Sequence, residues 1–249
     1  MMRGTFYIVG VGPGDAELLT LKAVRIIKEC NTIAIPVARA GFEDTVSEPA
    51  GESCAFPEVL GKCTAYQIVL PVVPEIAQKA KIYLPMPMMK KKDILKAIHD
   101  KGAEEVAKWL DMGENVAFLT LGDPSVYSTG MYVQKRLDEQ GYHTEMIAGI
   151  PSFCAVAARL NTALAKNKEE IHIIPASYGV EESLNLPGTK ILMKAGKKIS
   201  EIKEAVKKRG LQIQMVENCG MEGERIYSSV EEIPDESSYY SLIMIKEEA

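Results

Sequence analysis

YIVGVGPGDAELLT (Tyr7–Thr20) and LTLGDPSVYSTGMYV (Leu119–Val133) are the two stretches that decide how this chain is read. Each is an apolar run that stops at a Gly/Pro/Asp turn and resumes as a helix. An open α/β sheet uses this arrangement to bring bare backbone to the carboxyl end of a strand, where ligands bind. The first stretch also argues against the commonest such ligand. Gly10, Gly12 and Gly14 are spaced G-x-G-x-G with Pro13 between the last two. A dinucleotide fingerprint is G-x-G-x-x-G, and its third glycine would fall on Asp15. Pro13 has no N–H to offer a phosphate, and Asp15 would repel one. The turn is built for close approach of something other than a pyrophosphate.

Working outward, Thr5–Val11 reads as a buried strand. Glu17–Glu29 reads as a helix with Leu18, Leu21, Val24 and Ile27 on one stripe and Ile26 at its flank. Thr32–Val37 reads as a second strand, so the chain opens βαβ, which implies a parallel sheet. Ala38–Pro85 is interrupted by Pro49, Pro57, Pro71, Pro74 and Pro85 and loosened by Gly41, Gly51 and Gly61. It reads as a long excursion with one helix around Pro74–Ala80 and an extended stretch at Lys81–Leu84; a loop this long in a compact domain is usually functional or mobile. Lys91–Met112 predicts a helix carrying Ile94, Leu95, Ile98, Val106, Trp109 and Leu110 on one face. A strand at Asn115–Leu121, a helix at Val126–Gln140, a strand at Thr144–Ile147 and a helix at Ser152–Leu160 follow. Later strands are expected near Glu170–Pro175, Lys190–Lys194, Gln212–Glu217, Arg225–Tyr227 and Tyr239–Lys246, with a helix at Ser200–Arg209. The fold class is α/β, and the turn just after Leu121 divides a βα-rich half from a strand-rich one (1–121 and 122–249).

A chain of 249 residues holds one large or two modest domains and buries enough surface to need no staples. The formal net charge of −5 disfavours nonspecific nucleic-acid binding, which needs a basic field. Cys30, Cys54, Cys63, Cys154 and Cys219 are scattered, odd in number and form no C-x-x-C. They read as reduced thiols of a cytoplasmic protein. The opening MMRGTFYIVGVG runs straight into a strand with no signal-peptide pattern, and no apolar run approaches the ~20 residues of a membrane span. His99, His143 and His172 share no metal-ligand spacing, so no protein metal site is expected.

Each motif has a plain structural alternative. Gly10–Asp15 could be a tight turn whose Asp15 favours a helix N-terminus. Gly122-Asp123-Pro124 could be punctuation, with Ser125 a helix-start residue and Tyr127 a core one. Ala148-Gly149-Ile150-Pro151-Ser152-Phe153 could be close packing of a helix on a sheet, or backbone exposed to a flat ligand. Lys90-Lys91-Lys92 and the group Lys194, Lys197, Lys198 are either solvated faces or landing sites for a polycarboxylate. There is no G-x-S-x-G, no G-K-[ST] and no H-E-x-x-H.

Taken together and in order, the turns resemble the tetrapyrrole methylases, the class III S-adenosylmethionine-dependent methyltransferases. VGVGPGDAELLTLKA is similar to that family's first motif, GDPSVYST to its second and AGIPSFCAVAARL to its third. KILMKAG (Lys190–Gly196) and VENCG (Val216–Gly220) sit where its last two ligand loops are expected. TLGDPSVYSTGMYV with GIPSFCAVAARL looks closest to the branch that methylates the C-20 meso carbon of precorrin-2 or cobalt-factor II in cobalamin biosynthesis. Ala148 departs from the pattern, where a proline is more usual.

The resemblance implies two α/β domains and a homodimer, with S-adenosylmethionine bound in a cleft between the two domains and released as S-adenosylhomocysteine. Carried onto this chain, the cofactor contacts are Pro13, Leu121, Gly122, Asp123, Val126, Ser152, Ala195 and Gly220, with Ser128 and Thr129 as further ones. Tyr127 is a candidate on the substrate side. The acidic side chains of the ring need cations, for which Arg39, Lys90, Lys91 and Lys92 are the candidates; no catalytic base is assigned. The cofactor carries the difficult chemistry and the protein binds and orients, so no membrane or nucleic-acid partner is implied. Two rivals stand beside this reading. One is a non-catalytic tetrapyrrole or S-adenosylmethionine-binding protein on the same fold; the other is an NAD-dependent oxidoreductase, which the glycine spacing and Asp15 disfavour.

Overall fold

The computed structural model describes residues 2–39, 41–51, 54–89, 91–176 and 180–247. They form two compact units, Met1–Pro151 and Ser152–Ala249. The expected boundary after Leu121 falls inside the first unit, because the chain returns from there to complete the first sheet.

That sheet contains β1 (Thr5–Gly10), β2 (Thr32–Val37), β3 (Val46–Glu48), β4 (Ala80–Pro85), β5 (Val116–Thr120) and β6 (His143–Ile147), in the order β3-β4-β2-β5-β1-β6. All pairs are parallel except β3 with β4. β1, β2, β4 and β5 are near-continuous apolar runs because both faces are covered. Val9, Ile33, Ile35, Tyr83, Ala117 and Leu119 face one core. It is covered by α1 (Leu21–Glu29), α2 (Pro57–Lys62) and α3 (Thr64–Val69). Phe6, Ile8, Ala34, Ile82, Val116 and Phe118 face the other, against α4 (Lys92–Asp111) and α5 (Gly130–Glu139). β6 lies at the edge and is half solvated.

Two helices differ from expectation. The run at Glu17–Glu29 breaks into a single 3-10 turn (Ala16–Leu18) and then α1, because the Thr20 side chain accepts the Ala23 N–H and caps a new helix. The cap resets the buried face to Ala23, Ile26 and Ile27 and turns Leu21 outward, 90% exposed. The helix expected from Val126 begins only at Gly130, after a turn in which Tyr127 takes φ +54°. The described residues of the Ala38–Pro85 excursion hold more regular structure than expected, in β3, α2, α3 and β4. The excursion is pinned where β3 meets β4 by buried Glu48, whose carboxylate accepts the Tyr83 hydroxyl and lies 3.6 Å from the Lys81 ammonium.

The second unit is a mixed sheet of β7 (Ile171–Pro175), β8 (Thr189–Met193), β9 (Gln212–Glu217), β10 (Arg225–Tyr227) and β11 (Ser241–Lys246), in the order β10-β9-β11-β8-β7. α7 (Ile199–Arg209) packs Ile199, Ile202 and Val206 on one face. α6 (Ser152–Arg159) places Val156 on the other, against Ile191, Val216, Leu242 and Met244. Among the described residues no helix is long and apolar enough to cross a membrane.

Candidate functional site

Because β1, β2, β4, β5 and β6 run parallel, the loops that follow them leave from one edge of the first sheet. Pairing of β2 with β5 stops at Ala34 and Phe118. By contrast, β2 stays with β4 to Val37, and β5 stays with β1 to Thr120. The sheet therefore splits at its carboxyl edge between β2 and β5. Pro36 sits where the split has begun, so its missing N–H leaves no ladder bond to β5 unmade. The chain leaves β1 for α1 on one face and leaves β5 for α5 on the other. Adjacent strands whose connections depart to opposite faces make the topological switch point at which open α/β sheets take ligands.

At that point the glycine turns lock onto one another. Gly12 and Gly122 exchange backbone hydrogen bonds, Gly122 N–H to Gly12 O at 2.8 Å and Gly12 N–H to Gly122 O at 3.2 Å. Both need the left-handed region, at φ +78° and +71°. A Cβ on Gly10 would lie 2.7 Å from Gly122 O and 2.7 Å from Gly149 N, so the turns after β1, β5 and β6 pack backbone on backbone. Asp123 binds them together. One carboxylate oxygen accepts the Ser125 N–H and hydroxyl, and the other accepts the Gly149 N–H at 3.0 Å. Burial alone would raise the Asp123 carboxyl. The hydrogen bonds from the Ser125 side chain, the Ser125 backbone and Gly149 outweigh it and hold the group below its ordinary value.

The structure thus gathers Pro13, Leu121, Gly122, Asp123, Val126, Tyr127, Ser128 and Thr129 on two interlocked turns at one strand edge. Their roles differ. Pro13 is buried. Asp123 uses Oδ1 within its own turn, on Ser125, and Oδ2 on Gly149 of the turn after β6. Ser128 donates to Thr120 Oγ1 and accepts the Gly130 N–H, which leaves it one lone pair. Tyr127 is 49% exposed in a left-handed conformation that costs a non-glycine residue energy; it is not a core residue. Asp15 caps the 3-10 turn by accepting the Glu17 N–H, as the plain reading of that residue proposed.

Arg39 follows β2 at the same edge and pairs with exposed Glu58 at 2.8 Å. Lys91 and Lys92 stand exposed at the start of α4, past the end of β4. Lys90 lies outside the described residues. In the second unit Ser152 opens α6. Ala195 is buried just after β8, between Lys194 at φ +59° and Gly196 at φ +33°. Gly220, at φ +73°, follows β9.

One residue that sequence reading missed is Glu224, whose carboxylate accepts the Gly220 N–H at 2.8 Å and pairs with Arg159 of α6. It lies four positions after Gly220 and 65 after Arg159, and no motif marks it. Among the described residues no group of three or more His, Cys, Asp or Glu is placed to hold a metal ion. The turns after β1, β5 and β6 supply backbone groups, hydroxyls and carboxylates, and no thiol. That donor set suits a cationic, hydroxyl-bearing ligand that must not meet a strong nucleophile.

The profile of the family described as Tetrapyrrole (Corrin/Porphyrin) Methylases matches residues 5–234. A probable cobalt-precorrin-2 C(20)-methyltransferase of Methanocaldococcus jannaschii is 35% identical over 244 residues, covering 96% of this chain and 95% of that protein. A precorrin-2 C(20)-methyltransferase of a Sinorhizobium species is 29% identical, covering 95% and 93%. Among solved structures, a uroporphyrin-III C-methyl transferase of Thermus thermophilus complexed with S-adenosyl homocysteine shares the fold. It has a TM-score of 0.66 and 20% identity, with 98% of each chain covered.

Proposed function

Because this chain belongs to the tetrapyrrole (corrin/porphyrin) methylase family, we propose that it methylates the C-20 meso carbon of precorrin-2 or its cobalt form, with S-adenosylmethionine as donor. The observation that carries the reading is the interlocked Gly12–Gly122 turn pair, clasped to Gly149 by Asp123, at the switch point of a chain 35% identical to a relative of that name. When bound, the cofactor supplies an electrophilic methyl group. The residues of the chain bind and orient. Backbone at Pro13, Leu121, Gly122 and Val126, with the hydroxyls of Ser128 and Thr129, holds the cofactor. Asp123 keeps these turns in register and is itself a cofactor contact, through the acceptor capacity that Oδ2 retains beyond the Gly149 N–H. Ser152, Ala195 and Gly220 are further contacts on the strength of the family motifs.

Holding donor and acceptor in a reactive arrangement contributes up to about 7–11 kcal/mol of barrier lowering, so a rigid cradle is the main catalytic contribution asked of the protein. Tyr127, held out from the fold, offers an aromatic face to the macrocycle; Arg39, Lys90, Lys91 and Lys92 offer cations to its carboxylates. We assign a cytoplasmic homodimer as the working form, to be checked by light scattering.

The test is an anaerobic single turnover with methyl-labelled S-adenosylmethionine and either metal-free or cobalt-loaded ring, read by mass spectrometry. One methyl added at C-20 supports the proposal, and the better substrate identifies the metal state. Cofactor binding without transfer to either ring refutes it in favour of a carrier.

A further inference from the structure

The turn that follows β9 is braced from two sides. On one side Ser238 donates its N–H to Glu217 Oε1 at 2.6 Å and its hydroxyl to Asn218 Oδ1 at 3.0 Å, while the Asn218 N–H donates to Tyr240 O at 3.0 Å. On the other side Glu224 Oε2 accepts the Gly220 N–H at 2.8 Å and Glu224 Oε1 accepts from Arg159 Nε at 2.5 Å, tying the turn to the last residue of α6. The Glu224 side chain is 17% exposed. Burial would raise its carboxyl, but the Gly220 N–H and Arg159 overcome this and lower it, so the group is held ionised as an acceptor.

A trans peptide points its N–H and the preceding carbonyl in opposite directions. With the Gly220 N–H directed at Glu224, the Cys219 carbonyl is directed away from it. Gly220 is a glycine at φ +73°, and glycine accepts both signs of φ. The 219–220 peptide can therefore turn over unless something holds it, and an overturned peptide would show N–H where it had shown C=O.

We infer that Glu224 is a positioning residue: by clamping the Gly220 N–H it makes the 218–220 turn present a carbonyl acceptor, and so selects a ligand that offers a hydrogen-bond donor there. This rests on Gly220 being a cofactor contact. Among the donors an adenosyl ligand carries, we assign the 6-amino group to this carbonyl, because it is the one that an oxo group can replace to turn donor into acceptor. Arg159 acts through Glu224 by fixing the carboxylate against α6.

The experiment uses the full chain and measures binding of S-adenosylhomocysteine and S-inosylhomocysteine, in which an oxo group replaces the amino group, alongside steady-state kinetics. Glu224→Ala is expected to weaken S-adenosylhomocysteine about tenfold, the loss of one hydrogen bond's differential. The ratio of the two affinities should fall toward one, with the defect in KM for the cofactor and not in kcat. Glu224→Gln keeps a carbonyl acceptor for Gly220 and should recover affinity to within about threefold of wild type. Arg159→Ala should lie between the two. A Glu224→Ala protein with native circular dichroism, wild-type affinity and a wild-type ratio overturns the inference. So does a Gln variant no better than the Ala variant. If the wild-type chain binds neither ligand, the functional reading itself fails; if it binds and the variants match it, only the role of Glu224 fails.

Discussion

Gly149→Ala tests the interlocked turns most directly. The added Cβ would sit 2.2 Å from Gly122 O, 2.8 Å from Gly10 C and 2.9 Å from Gly10 Cα. A close carbon–oxygen contact is about 3.3 Å or more, so the first of these requires a shift of roughly 1 Å. All three neighbours are backbone, and no flexible side chain can absorb the shift. Overpacking costs about 1–3 kcal/mol, and occasionally more; with only main chain to move, about 3 kcal/mol is expected. For a chain of this size about 1 kcal/mol moves Tm by roughly 2–4 °C, so the variant should melt about 6–12 °C lower. The displaced turns include Gly122, and misplacement of about 1 Å can cost 10²-fold in a positioned reaction. A loss of about 1.4 kcal/mol of contact at Gly122 is tenfold in affinity, so S-adenosylhomocysteine should bind about tenfold more weakly, with the larger loss in turnover. The control is Gly61→Ala in α2, where a Cβ meets nothing within 4 Å and φ is not positive. There alanine should add about 0.5–1 kcal/mol through helix propensity and leave binding alone. Calorimetric melting and isothermal titration of both variants decide the matter. A Gly149→Ala protein with the Tm and affinity of wild type would refute the interlocked-turn reasoning.

Asp123→Asn should cost about 1 kcal/mol at neutral pH, because a carboxylate that accepts from both Ser125 and Gly149 is replaced by an amide with one acceptor oxygen. The folded carboxyl lies below its ordinary 3.8, so its contribution is full above that value and is lost as pH falls through the lower folded value. The difference in urea midpoint between wild type and variant should narrow on acidification, and a difference that widens contradicts the assignment. Cys30 is fully buried with its thiol pushed up to about 12, while Cys154 is exposed. A disulfide reagent at pH 8 should modify Cys154 in the native protein and Cys30 only after unfolding; early reaction of Cys30, read by peptide mass, would count against the buried α1–sheet core. Lys91→Glu combined with Lys92→Glu should raise KM for the tetrapyrrole about tenfold and leave KM for S-adenosylmethionine within twofold. An unchanged tetrapyrrole KM removes these lysines from the substrate side.

Punctuation was legible in the sequence and reach was not. β2, β9 and β10 fall where their apolar runs and flanking breakers place them, and the turns after β1, β5 and β6 were visible because glycine and proline report backbone conformation locally. Elsewhere a single side chain choosing a distant or unexpected partner overrode local periodicity. Thr20 capping Ala23 shifted the buried face of α1 by part of a turn and left Leu21 in solvent. Glu48 meeting Tyr83 and Lys81 ordered an excursion whose prolines read as loop, through chemistry between residues more than thirty positions apart. The helix pattern from Val126 failed for a similar reason. Asp123 accepts from Ser125 within its own turn and from Gly149, and Tyr127 takes a positive φ before α5 can start.

These same long-range partners decide the roles at the candidate site. Family motifs mark Asp123 and Gly220 as positions, but only the tertiary partners show which of their polar groups are already engaged. The Asp123 carboxylate is already shared between Ser125 and Gly149, and the Gly220 N–H is already taken by Glu224. What each turn still has to offer a cofactor is therefore the complement of what its neighbours have used. That remainder, chiefly carbonyl oxygens and the Ser128 lone pair, favours a ligand rich in hydrogen-bond donors and carrying positive charge.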